Sequence, residues 1–321
     1  MMLFPACRGS RDVAVSVSDG AELPIRPVPG FFSAAESYFS PDGQRLILSA
    51  RLIEQEAEYH VYTVNLDGTD IRRINSLGID ACSYYFPDGS RIVFASTRDN
   101  RHLPQGDYSD PGDYPTGAEI YTCRPDGSGL RRITRNENYE AEVSLAPDGE
   151  WILFGRVMNR KIDLWRMRPD GSEEFRITNT PDTQEGTAFY LPDSKTIIYH
   201  AWSIHGQDQR AAPMDIYSML HDGTDVRRIT YGEGTNKTPH PSPDGVHIVF
   251  AKLLAPHNFE IFLMNMVTGE QVRLTYNNSL DGFPSFSPDG HTISFSSARN
   301  LPADSHRTGV YLMDVQSLLP Q

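Results

Sequence analysis

Carboxylates are the residues of this chain with the widest chemical reach, and several recur at similar places. Glu36, Asp80, Glu140, Glu142, Glu185 and Asp281 each stand a few residues before a Pro-Asp pair. If the fold brings them together, each raises the pKa of the others unless a cation neutralises them. A second group lies in residues 100–117, where Gly106-Asp107-Tyr108 and Gly112-Asp113-Tyr114 flank Asp110. Calcium takes six to eight oxygens, but this spacing departs from the Asp-x-Asp-x-Asp-Gly calcium loop. A solvated contact loop is the better reading, since aromatics such as Tyr108 and Tyr114 are enriched at interfaces. His200, Trp202 and His205, with His240, form a third group. No His-x-His or His-Glu-x-x-His spacing supports zinc there, so no metal and no cofactor is assigned.

Other chemistry is missing from the motifs. No Gly-x-Ser-x-Gly elbow, glycine-rich phosphate loop or dinucleotide fingerprint occurs. Cys7, Cys82 and Cys123 have no close pair and read as buried or free thiols. No catalytic residue is assigned.

A repeat must position these residues. Phe39-Ser40-Pro41-Asp42-Gly43 returns at Pro87, Pro147, Pro192, Pro243 and Pro288, at intervals of 46, 60, 45, 51 and 45 residues. Proline suits the second position of a type I turn, Asp the third and Gly the left-handed position after it. Ser194 replaces that glycine in the fourth copy. Apolar runs follow each turn, with Leu46, Ile92, Ile152, Ile197, Ile248 and Ile293 at a constant offset, as expected of strands covered on both faces. Later come an aliphatic–aromatic pair (Ile120-Tyr121 and its equivalents), an Asp-Gly turn and a basic strand such as Arg131-Arg132-Ile133. Those arginines read as guards of an exposed sheet edge.

Counting the strand that enters each turn gives four per repeat. The fold class is therefore all-β: a six-bladed β-propeller of four-stranded blades. A seventh Pro-Asp turn, which a seven-bladed ring would need, is missing. The last copy lacks its basic strand, and residues 22–28 supply one, so the amino-terminal strand completes the last blade and closes the ring. Residues 13–17 make a surplus strand. Residues 1–12 are a tail, and 13–321 form a single propeller domain.

The strand directions place the Pro-Asp-Gly turns on one face and the long connections, residues 100–117, 203–213 and 300–307, on the other. Long loops in a compact fold are commonly functional. On that second face the inner strands begin, so the six carboxylates ring the channel mouth. Such a ring is either a hydrated polar channel or a mouth for a basic peptide or metal ion.

A formal charge of −13 argues against nucleic acid and anionic membrane surfaces as partners. No stretch approaches the ~20 apolar residues of a membrane-spanning helix. The first seven residues are too short for a complete signal peptide, although a small residue before Cys7 faintly resembles a lipoprotein cleavage site.

The Ser-Pro-Asp-Gly turn, Ile-Tyr strand and Asp-Gly turn of residues ~34–315 resemble the TolB-like propellers. The same repeat occurs in prolyl-oligopeptidase-type peptidases and oligogalacturonate lyases. The chain has no room for the amino-terminal domain of TolB, no hydrolase domain and no His-rich metal cluster. The resemblance implies a non-catalytic protein-binding scaffold, periplasmic or extracellular, docking on a cell-envelope protein. Its contacts would be the acidic mouth and Asp107, Tyr108, Asp113, Tyr114, Trp202 and His205 on the loops. A metal-assisted carbohydrate lyase or hydrolase is the alternative.

Overall fold

Local turn chemistry sets the hairpins. In the computed structural model, which describes residues 22–108, 113–205, 212–231, 234–302 and 306–319, Gly43 sits at φ 69° and its N–H donates to the Ser40 carbonyl at 2.8 Å. The Ser40 hydroxyl donates to Asp42 at 2.6 Å and accepts from the Arg45 amide at 2.9 Å. Ser194 occupies the same left-handed site at φ 55°, at a cost of about 1 kcal/mol relative to glycine. Its hydroxyl accepts from the Asp148 amide of the preceding blade's turn at 3.1 Å, which offsets part of that cost.

Six sheets of four antiparallel strands result. Blade one runs Ser33–Phe39, Arg45–Arg51, His60–Asn65 and Arg72–Arg73 from the axis outward. The other blades repeat it from inner strands Asp80–Tyr85, Glu140–Leu145, Thr183–Tyr190, Asn236–Pro241 and Asp281–Phe286. The aliphatic residue five past each turn proline is fully buried in all six copies. Two positions on, aromatics pair across strands, as Phe94 with Tyr121 and Phe250 with Phe262, both at centroid distances of 5.9 Å. Such pairs hold neighbouring strands in register.

The outer arginines differ from the expected edge guards. In blades two to five one guanidinium folds inward onto the acid that immediately precedes the aliphatic–aromatic pair. Arg132 pairs with Glu119, Arg176 with Asp163 (2.6 Å), Arg228 with Asp215 (2.5 Å) and Arg273 with Glu260 (3.0 Å). Each also donates to the carbonyl two residues on, for instance Arg176 to Thr178 at 2.9 Å. The short outer strand is thereby clamped to its neighbour.

The ring closes as expected. Ile25–Val28 pairs antiparallel with Gly309–Asp314, Ile25 opposite Met313 and Val28 opposite Val310, and completes blade six. Glu22 reinforces the closure by pairing with Arg299 at 3.1 Å, and Arg299 also holds Asp281 at 2.8 Å. The tail, residues 13–17 and Cys7 lie outside the described residues; Cys82 and Cys123 are free thiols. Among the described residues no helix is long and apolar enough to cross a membrane.

Removing residues 1–28 would leave Gly309–Asp314 without its outer partner strand and take from Arg299 its pairing with Glu22. We expect Tm to fall by roughly 5–10 °C and the protein to self-associate through the open edge, as read by a thermal melt and size-exclusion chromatography. An unchanged melt and a monomeric profile would show that the closure is dispensable.

Candidate functional site

Five residues before each turn proline the inner strand bulges. Its register with the second strand breaks between Ala35 and Tyr38 in blade one, and at the equivalent step in the other five. At each bulge a residue other than glycine takes a left-handed backbone: Glu36 (φ 53°), Cys82 (50°), Glu142 (55°), Thr187 (38°), Thr238 (51°) and Phe283 (50°). Strain of this kind costs of order 1 kcal/mol or more per residue. In return, amides are turned toward neighbouring blades. The Cys82 N–H donates to Glu36 Oε2 at 3.2 Å and the Thr187 N–H to Glu142 Oε2 at 2.5 Å.

The six bulge residues line a cavity of about 700 Å³ on the axis. Its floor is aromatic. Tyr38 and Phe189, from blades one and four, line it 5.6 Å apart, and behind them Tyr84 of blade two packs on Tyr38 at 5.1 Å and His240 of blade five on Phe189 at 4.7 Å. Since blades one and four face each other across the axis, these rings fill the channel and the mouth is blind. One wall is built from Gly106, Asp107, Tyr108 and Tyr114, where Tyr114 stacks on Tyr139 at 4.2 Å and Tyr108 packs on the same ring at 5.6 Å. Trp202 stacked on His200 (5.3 Å) forms another.

The six predicted carboxylates separate into two layers. Glu36 and Glu142 line the cavity, and Asp80 reaches its edge. Asp80, Glu140, Glu185 and Asp281 stand two residues earlier in their strands, are 0–2% exposed and are spent on the fold. Asp80 accepts from Asn75 at 2.6 Å and Asp281 from Asn277 at 2.6 Å. Glu140 accepts from Arg156 at 2.5 Å and Glu185 from Thr178 at 2.9 Å.

The predicted loop residues also divide. Tyr108, Tyr114, Trp202 and Asp107 line the cavity, while Asp113 is exposed beside it. His205 lies outside, against Asp182 at 3.0 Å. Asp110 and Gly112 fall outside the described residues. His200 and His240 are held neutral, burial pushing both down to about 3, and His240 Nδ1 accepts from the Phe286 amide at 3.2 Å. Among the described residues no three His, Cys, Asp or Glu stand together to hold a metal. Reading the sequence named Cys82 only as a thiol and His240 only beside the other histidines, and missed Tyr38, Tyr84, Tyr139, Phe189 and Lys237. Aligning the six copies on their prolines would have placed Cys82 and Lys237 at the rim and the four rings in one layer.

Electrostatics distinguish the mouth from its surroundings. Burial raises Glu36 above the ordinary carboxylate range, opposed by hydrogen bonds from Cys82. Burial likewise raises Glu142 to about 7, with the Thr187 amide opposing and Glu36 adding to the rise. Among the described residues neither carboxylate has a salt-bridge partner. Folded Glu142 therefore keeps a proton that the unfolded chain releases above about 4.5. That group's contribution to stability falls as pH rises through about 7. Glu142→Gln should be more stable than the parent by about 2 kcal/mol near pH 8, discounting for water in the open mouth, and nearly equal to it near pH 4. Denaturant unfolding at both pH values measures this; a constant difference would mean that Glu142 ionises normally.

No protein-family model matches the chain. In sequence it is similar to a TolB homologue of Chlorobium luteolum, 29% identical over 186 residues, which cover 57% of this chain and only 36% of that protein. An uncharacterized protein of Agrobacterium fabrum is 26% identical over 283 residues, covering 83% of this chain and 85% of that one. Among solved structures, TolB of Acinetobacter baumannii matches with a TM-score of 0.60 and 21% identity over 90% of this chain and 65% of that one. An oligogalacturonate lyase in complex with manganese matches with a TM-score of 0.55 and 14% identity over 94% and 99%. At these identities the structural likenesses show the fold alone.

Proposed function

We propose that this TolB-like six-bladed β-propeller is a non-catalytic protein-binding module, an exported accessory subunit of the bacterial cell envelope that takes a basic segment of a partner protein into its blind mouth. One observation carries the reading. Glu36 and Glu142 are forced onto one cavity ring, largely desolvated and left without a salt bridge among the described residues. An entering cation restores the neutralisation that the fold withholds. The aromatic floor stops a chain from threading through, so the partner contributes a side chain or a chain end. Tyr108, Tyr114 and Trp202 offer flat surface at the entrance, and Asp107 and Asp113 extend the negative field outward. The likeness to TolB homologues supports a protein partner and an exported, periplasmic or extracellular location.

The test uses a labelled Lys/Arg-rich peptide and a Glu-rich peptide of equal length, followed by fluorescence anisotropy. The basic peptide should bind and the acidic one should not. Binding should strengthen as pH rises through about 7, where Glu142 ionises. Glu36→Gln/Glu142→Gln should weaken it about tenfold at low salt, the difference shrinking as salt is added. Equal affinity of parent and double variant would remove the mouth from the interface. Asp80, Glu140 and Asp281 are unsuitable targets, because changing them tests folding. Stoichiometric manganese, zinc or calcium in the purified protein would instead favour a metal-assisted carbohydrate-active enzyme.

A further inference from the structure

Blade five breaks the pattern of the ring. Six residues before the turn proline the other blades carry Ala35, Ala81, Ala141, Gly186 and Gly282, whereas blade five carries Lys237. Its side chain lines the cavity and its Nζ lies 4.1 Å from the centre of the Phe259 ring. Among the described residues no carboxylate pairs with it. Burying an ammonium without an anion costs several kcal/mol, and five blades show that the fold needs nothing larger than alanine there. Burial lowers the Lys237 pKa to about 8, so the group is still cationic at neutral pH. Beside it Thr238 and His200, 5% and 7% exposed, also line the cavity. Their buried Oγ1 and Nδ1 have no hydrogen-bond partner among the described residues.

The position of Lys237 around the ring gives these facts a direction. Glu36, of blade one, leans onto blade two through the Cys82 amide, and blade two lies across the axis from blade five. Glu142, of blade three, leans onto blade four through the Thr187 amide. The cavity thus sets Glu36 opposite Lys237 above an aromatic floor, with Glu142 to one side.

Resting on the reading of the mouth as a protein-binding site, we infer that it receives the carboxy-terminal lysine or arginine of a partner polypeptide, with the side-chain cation at Glu36 and Glu142 and the terminal carboxylate on Lys237 and the Thr238 hydroxyl. A basic residue inside a chain would bring no anion to Lys237. The ammonium and carboxylate of a simple α-amino acid flank one carbon and cannot reach opposite walls. A basic residue with a free carboxylate separates its charges by the length of its stem, which lies over the aromatic rings. A chain end also suits a cavity with no exit. Free arginine or lysine shares this chemistry and is distinguished by experiment.

The probes are a Gly-Ser peptide ending in arginine with a free carboxylate, the same peptide amidated, and free L-arginine, titrated by calorimetry. The free-carboxylate peptide should bind about tenfold more tightly than the amide, the loss expected for one charge-assisted hydrogen bond. Lys237→Met should erase that difference by weakening only the free-carboxylate form. Because the substitution removes an unpaired buried cation, the variant should melt no lower than the parent. The pH profile of the free-carboxylate peptide should rise through about 7 and fall beyond about 8. Equal binding of acid and amide, with both weakened by Glu36→Gln/Glu142→Gln, would overturn the chain-end inference and leave the basic-segment reading standing. If neither peptide bound the parent, both would fall. Free arginine binding as tightly as the peptide would transfer the site to the free amino acid.

Discussion

The left-handed bulge in every inner strand is the constraint on which the mouth depends. In a regular strand residues two apart share a face, so acids seven and five residues before the turn proline would point the same way. The bulge inserts one residue and shifts everything before it to the other face. Ala34 and Phe39 therefore both pack between blades, while Ala35, Glu36 and Tyr38 reach the axis. Six repetitions turn a local irregularity into a cavity with a rim and a floor.

This shift explains what the sequence showed and what it hid. Turns, strand order and ring closure were legible because each rests on a residue with a narrow physical role: proline and glycine at the turn, aliphatic residues in covered strands. The bulge residues are Glu, Cys, Glu, Thr, Thr and Phe, and nothing in that set announces a positive φ. With a regular strand assumed, six carboxylates fell into one ring. The structure turns Glu36 and Glu142 to the axis, leaves Asp80 at the cavity edge, and packs Glu140, Glu185 and Asp281 into the blades. Lys237 was visible in the aligned copies as the one charge among alanines and glycines, yet its meaning required knowing that its position faces the axis.

The outer arginines teach a related lesson about partners. Read alone, Arg131-Arg132 or Arg227-Arg228 looks like a solvated basic edge. In blades two to five the acid that holds one arginine stands thirteen residues earlier, as with Asp163 and Arg176, Asp215 and Arg228, and Glu260 and Arg273. That constant spacing was available in the sequence. It went unread because these acids sit beside the most apolar residues of the blade, where a charge is costly unless its partner is known. The clamp meets that cost by placing a guanidinium against each carboxylate, the same guanidinium also donating to a threonine carbonyl two residues on.

What separates a structural carboxylate from a functional one here is saturation rather than burial. Asp281 is deeply buried, and Asn277 and Arg299 both hold its Oδ2. Glu142 takes one amide from Thr187 and then faces a cavity shared with a second acid. Gly186 keeps that arrangement open, since a side chain there would begin 2.8 Å from the Glu142 carboxylate. The chain thus contains two sets of acids that composition cannot tell apart. One set is neutralised as the blades assemble. The other keeps its demand for a counter-charge until something enters the mouth, and the fold maintains that demand by spending strain at six left-handed positions.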